Sequence, residues 1–124
     1  MLFRSNACIS GVLAISIAGN LIRSGAYKNA VVCGADVLST FVVSGFQSLA
    51  AMSNEPCQPY DKNRKGINLG ECAATVVLTS EESSLNSSKK VKILGGASSN
   101  DANHISGPSR TGNELANEIG RAHV

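Results

Sequence analysis

Between Ile9 and Ile22 the chain carries apolar side chains around almost the whole circumference of a helix. Ile9, Val12, Leu13, Ile17, Leu21 and Ile22 recur at helical spacing, while Ala14, Ile15 and Ala18 fill the positions between them. A helix that is apolar nearly all round has to be covered on several sides, so it belongs at the centre of a fold. In a chain of 124 residues that demand is hard to meet. Ser5 and Asn6 precede the run as cap residues and Gly25 follows it as a stop, so the pattern predicts a helix over residues 8 to 24. The most apolar stretch, Val12 to Ala18, is broken by Ser16 and falls far short of the ~20 residues of a membrane span. The start of the chain lacks the charged-then-apolar order of a secretory leader, and no targeting segment is expected.

The rest of the chain reads as alternating strand and helix. Ala30-Val31-Val32-Cys33 is a continuous apolar run ended by Gly34, which predicts a buried strand over 29 to 36. Leu38 to Met52 is a second helical segment with Ser39 or Thr40 as its cap, although Thr40, Val42, Val43 and Gly45 lower its propensity and leave packing to decide. Residues 53 to 66 read as a loop rich in Asn, Pro, Asp and Gly. Ala73 to Thr79 is expected as a strand, Ser80 to Ser88 as a polar connection, and Val91 to Ser98 as a further strand ending at Gly95-Gly96. A last helix is expected from about Arg110, with Leu115 and Ile119 on one face. The order is that of an α/β protein with a single domain as its upper bound.

Charge and cysteine usage narrow the function. Eleven basic against nine acidic residues leave a net charge of +2, too small and too scattered for counterion release to drive nucleic-acid binding. Cys8, Cys33, Cys57 and Cys72 form no C-x-x-C pair and have no His at zinc-ligand spacing, which fits a reduced, cytoplasmic setting and offers no metal site. Cys8 stands beside the start of the apolar helix, where unpaired N–H groups and the helix dipole favour a thiolate. That is the place of a nucleophile, but a small buried structural cysteine fits the same spacing.

The residues around Cys8 go further. Asn6-Ala7-Cys8-Ile9-Ser10-Gly11 resembles the Thr-Ala-Cys-Ala-Ser/Thr-Gly nucleophile motif of the β-ketoacyl-acyl-carrier-protein synthases. Leu21 to Gly25 looks like the end of that family's nucleophile helix, and Val32-Cys33-Gly34-Ala35-Asp36 like its Gly-Gly-Ala-Glu/Asp strand end. Pro59-Tyr60-Asp61-Lys62-Asn63-Arg64-Lys65-Gly66 is similar to the Pro-Phe-Asp-x-x-Arg-x-Gly loop, Leu69-Gly70-Glu71 to the Met/Leu-Gly-Glu turn, and Asp101 to Ser106 to Asp-Ala-Tyr-His-Ile/Met-Thr. The motifs follow the family's order from about residue 5 to about residue 120.

The resemblance implies a partial thiolase-like α/β fold, with two similar halves layered as helix, sheet, helix, sheet, helix. Residues 1–124 would form one partial synthase domain, about 1–85 ending the N-terminal half and about 86–124 starting the second. It implies Cys8 as the acyl-accepting thiol, acyl-carrier protein as partner for acyl and malonyl thioesters, a homo-oligomeric parent enzyme and no cofactor. Phe46, in Ser44-Gly45-Phe46-Gln47, resembles the segment lining the acyl pocket, although a core Phe on a helix fits equally well. His104 resembles a His near the active-site wall, in a hydrogen-bonded structural role or in direct proton transfer. His123 fits no motif. Lys62, Arg64 and Lys65 are expected as a solvated turn that Asp61 and Arg64 tie to itself, and Glu71 as a buried loop anchor. Cys72 takes the place of a Gly, and Ala50 that of an Arg that helps dock the carrier. In the family two catalytic His, a Lys and a Gly-Phe-Gly-Gly turn follow the last of these motifs, so the chain by itself is expected not to condense. The alternative is a catalytically inactive remnant or interaction module of the same fold. A thiolase acting on coenzyme A esters would not carry the Pro-Tyr-Asp loop or the Asp-Ala-Asn-His-Ile-Ser segment.

Overall fold

The computed structural model describes residues 6–81, 90–101, 109 and 111–122. The chain divides into two compact units, one built from residues 1–33 and 75–124 and the other from residues 34–74. Five elements run in the order α1 (Ser10–Arg23), β1 (Asn29–Asp36), α2 (Thr40–Ser48), β2 (Cys72–Thr79) and α3 (Asn113–Ala122). The strands pair in a two-stranded sheet. Ser80 N–H donates to the Lys28 carbonyl at 3.0 Å and the Thr75 hydroxyl lies 3.4 Å from Cys33 Sγ, so position rises along one strand as it falls along the other and the pair is antiparallel.

In the first unit, α1 starts two residues later than its periodicity suggests, and its expected caps do not act as caps. Ile9 takes the N-cap position and no side chain accepts from the first turn. The stop is as expected, because Gly25 adopts φ 76 and closes the helix with two backbone bonds. Gly25 N–H reaches the Ile22 carbonyl at 3.0 Å and Ala26 N–H the Leu21 carbonyl at 3.0 Å, the paired pattern in which a left-handed residue just past the helix end satisfies the last carbonyls. The expected strand over Val91 to Ser98 is absent: residues 90–101 have no regular structure. Apolar composition alone does not make a strand, and this segment joins neither β1 nor β2. The segment lies against α1 instead, since a Cβ at Gly96 would stand 3.0 Å from Ser16 Oγ.

In the second unit, Ser39 caps α2 by accepting the Val42 N–H at 3.3 Å, which decides the helix despite its β-branched residues. The helix stops at Ser48, four residues before the end that the sequence suggests. Its closure has the same pattern as that of α1, with Ala50 N–H on the Gln47 carbonyl and Ala51 N–H on the Phe46 carbonyl. Here the left-handed position is filled by Ala50, at φ 51. The chain then pairs Ser53 N–H with the Ile67 carbonyl and Ile67 N–H with the Ala51 carbonyl, both at 2.9 Å. Gly66, at φ 144, makes this approach possible, because a Cβ there would lie 2.6 Å from the Ala51 carbonyl oxygen.

The covered core that α1 demands is not supplied by the described residues, among which Ala18, 8% exposed, is the only buried hydrophobic residue. Val12 on α1 is 67% exposed and Phe41 on α2 is 86% exposed. Such apolar faces associate when nothing covers them. In sedimentation velocity the chain is expected to run above its monomer mass, increasingly so with concentration; a monodisperse, cooperatively melting monomer would contradict this. Backbone strain gives a second expectation, readable as shifts in the urea midpoint at fixed protein concentration. Ala50→Gly relieves a left-handed alanine and is expected to add ~0.5–1 kcal/mol, whereas Gly66→Ala forces the 51–67 pairing apart and is expected to remove about 2 kcal/mol.

Candidate functional site

Like the other three cysteines, Cys8 is exposed. It stands two residues before α1, in a tight turn over residues 6–10. Ala7, just ahead of it, has φ 45, in the left-handed region that alanine avoids. Ile9 N–H donates to the Asn6 carbonyl at 3.3 Å and Ser10 N–H to the Ala7 carbonyl at 3.2 Å. The Ser10 hydroxyl donates to that same carbonyl at 2.7 Å and accepts the Asn6 N–H at 2.6 Å. The two amides that follow Cys8 are therefore spent inside the turn, while the Cys8 N–H takes no part in these bonds. A thiol on an exposed, strained corner at a helix start is open to attack an electrophile in the way of nucleophilic cysteines.

The second unit holds the other recognisable features. Phe46 lies half-buried on α2. The charged loop is tied to itself, as its sequence suggests, though not through an ion pair. Asp61 Oδ1 accepts the Asn63 N–H at 2.6 Å, and the Arg64 guanidinium donates to the Asp61 carbonyl at 3.0 Å. Lys65 pairs with Glu55 at 2.6 Å, an exposed bridge of small energetic value. Tyr60 occupies a left-handed corner at φ 64. Glu71 is an anchor, accepting the Leu38 N–H at 2.8 Å and so fixing the entry to α2. It is exposed, however, and not buried as the sequence suggests, because the described residues around it make no core. Cys72, in place of a Gly, is accommodated as the first residue of β2. His104 and His123 lie outside the described residues.

One organising side chain escapes sequence reasoning. Asn68 Oδ1 accepts the Cys57 N–H at 2.7 Å, and its Nδ2 donates to the carbonyls of Ser53 and Glu55, both at 3.1 Å. A primary amide has both the acceptor and the two donors needed to close such a loop. The signal available in the sequence is only an Asn soon after a Gly that ends a loop, which is common. Asn68→Ala is expected to cost about 1 kcal/mol and to speed amide exchange at Cys57 while leaving exchange within α1 unchanged; equal exchange at Cys57 in both proteins would show that the clamp carries no load.

Residues 2–84 match the profile of the family described as "Beta-ketoacyl synthase, N-terminal domain". The chain is 33% identical over 112 residues to "3-oxoacyl-[acyl-carrier-protein] synthase 2" of Synechocystis sp., covering 82% of this chain and 27% of that protein. It is 33% identical to the "Tetracenomycin polyketide synthase ketoacyl synthase alpha subunit" of Streptomyces glaucescens, covering 93% of this chain and 29% of that one. "Nodulation protein E" of Rhizobium leguminosarum bv. trifolii is 32% identical, with 90% of this chain and 29% of that one covered. The crystal structure of a β-ketoacyl synthase from Burkholderia phymatum superposes with a TM-score of 0.57 at 37% identity, over 64% of this chain and 21% of that chain. The chain thus spans less than a third of the length of each of these relatives. With the greater part of its length matched to this domain, the chain belongs to the β-ketoacyl synthase family and carries part of the thiolase-like α/β fold.

Proposed function

We propose that this chain is a piece of a 3-oxoacyl-acyl-carrier-protein synthase, serving fatty-acid or polyketide-like biosynthesis, in which Cys8 accepts the acyl group. The observation that carries the reading is the exposed Cys8 on its strained turn ahead of α1, within a segment matched to the synthase domain. The Cys8 sulfur attacks the carbonyl carbon of an acyl thioester on the carrier protein. A new C–S bond forms, the carrier's own C–S bond breaks, and the carrier thiol leaves with the proton. Donors at the helix start, the Cys8 N–H among them, stabilise the oxyanion formed on the way. In the second step, decarboxylation of a malonyl thioester releases carbon dioxide and leaves its bonding electrons on the α-carbon. That carbanion attacks the Cys8 thioester, forming the C–C bond and returning the cysteine as a leaving group.

Residues of about 1–85 end the N-terminal half of the fold and those of about 86–124 start the second half. Phe46 lines the acyl pocket, and His104 is the second substrate-binding residue of this reading. The acidic carrier protein supplies both thioesters, and the parent enzyme is a homo-oligomer. The family's remaining His, Lys and Gly-rich turn match no segment of this sequence, and the 124-residue chain by itself is expected not to condense. No helix among the described residues is long and apolar enough to cross a membrane.

Incubation with acylated carrier protein followed by intact mass measurement tests the assignment. The chain is expected to gain one acyl mass, released by hydroxylamine, and Cys8→Ala is expected to gain none. An unmodified wild-type chain under conditions that acylate a complete synthase would favour an inactive remnant of the fold.

A further inference from the structure

The turn that presents Cys8 depends on one hydroxyl. Non-glycine residues leave the left-handed region unless their surroundings hold them there, and Ala7, at φ 45, has no glycine to ease it. Two backbone bonds span the turn, from Ile9 to Asn6 at 3.3 Å and from Ser10 to Ala7 at 3.2 Å, both longer than the commonest amide length of about 2.9–3.0 Å. The two bonds of the Ser10 hydroxyl, 2.6 Å from the Asn6 nitrogen and 2.7 Å to the Ala7 carbonyl, are shorter. The N-cap Ile9 offers no side-chain acceptor to the first turn of α1, so among the described residues these are the side-chain bonds that fix the corner. The hydroxyl closes a ring that reaches from the residue two before Cys8 to the residue two after it.

We propose that Ser10 is a positioning residue for the thiol: its hydroxyl, by bridging the Asn6 N–H and the Ala7 carbonyl, locks Ala7 in the left-handed conformation and thereby sets the direction in which the Cys8 side chain and N–H point. The inference rests on Cys8 being the reactive thiol of the proposed function, and its effect passes through Cys8 without contact with substrate. If Ser10 loses its hydroxyl, Ala7 returns to a negative φ, the Cys8 peptide turns, and the thiol changes direction. Threonine keeps the bridging oxygen. Glycine at position 7 accepts the left-handed conformation without help.

The test is peptide-resolved labelling of the full chain with limiting iodoacetamide, reading the rate at Cys8 against that at Cys57, which is also exposed. Ser10→Ala is expected to lower the Cys8-to-Cys57 ratio about 5-fold, and Ser10→Thr to hold it within about 2-fold. Ser24→Ala removes a hydroxyl that bonds the Leu21 carbonyl at the other end of α1 and is expected to leave the ratio unchanged. If Ser10→Ala folds poorly, the same substitution in an Ala7→Gly background decides the matter, because there its effect on the ratio is expected to shrink below about 2-fold. An unchanged ratio in Ser10→Ala, an equal fall in Ser24→Ala, or a full fall that Ala7→Gly does not soften overturns the proposal. A wild-type chain that labels at Cys8 yet takes no acyl group from carrier protein sinks the functional reading, while the labelling ratio still decides the role of Ser10.

Discussion

More apolar surface is presented by α1, β1 and α2 than the described residues cover. α1 is apolar on nearly every side, yet only Ala18 along it is buried, and Val12 and Val31 stand open. Hydrophobic burial is the dominant favourable term in folding, so elements of this composition are specified by contact with further layers. This chain matches less than a third of the length of its relatives. Local closures are what define the elements among the described residues: two helix ends of the same pattern, a serine cap on α2, a glutamate anchor at its entry and an asparagine clamp in the loop after it.

These closures differ in how well residue and conformation agree. Gly25 and Gly66 hold positive φ at no steric cost, while Ala7, Ala50 and Tyr60 hold it against their preference. Left-handed non-glycine residues persist where surrounding bonds over-determine them, and they gather at sites where direction matters. Ala7 fits that description, with four hydrogen bonds among residues 6, 7, 9 and 10 closing around Cys8. Ala50 fits it less well, since only the backbone closure of α2 engages it. The same conformation is thus held by side-chain bonds in one place and by a backbone helix stop alone in the other.

The legible part of the fold was that written in continuous local pattern. The run Ala30 to Cys33 between polar neighbours marks β1 over its full extent, and Gly25 marks the end of α1. The Ser39 cap and the self-tied Asp61 loop were also readable, because both arise from side chains bonding to backbone a few residues away. What could not be read depends on who the neighbour is. Val91 to Ser98 has strand composition yet pairs with neither β1 nor β2, and Glu71 finds the Leu38 amide across a gap of thirty-three residues. At the site, the motif around Cys8 drew attention to the thiol, whereas the hydroxyl two residues later reads in sequence as one more serine in a helix. Its bonds to Asn6 and Ala7 make it a bridge.

All four cysteines of the chain are exposed, so accessibility alone does not choose among them. Under the proposed function, position eight alone reacts with thioesters. Offering the chain less than one equivalent of acyl thioester and mapping the acyl group by peptide mass bears on that claim most directly. The label is predicted to collect on the peptide that holds Cys8, with little on those that hold Cys33, Cys57 or Cys72. An even spread over the four thiols, or a preference for any of the other three, would contradict it.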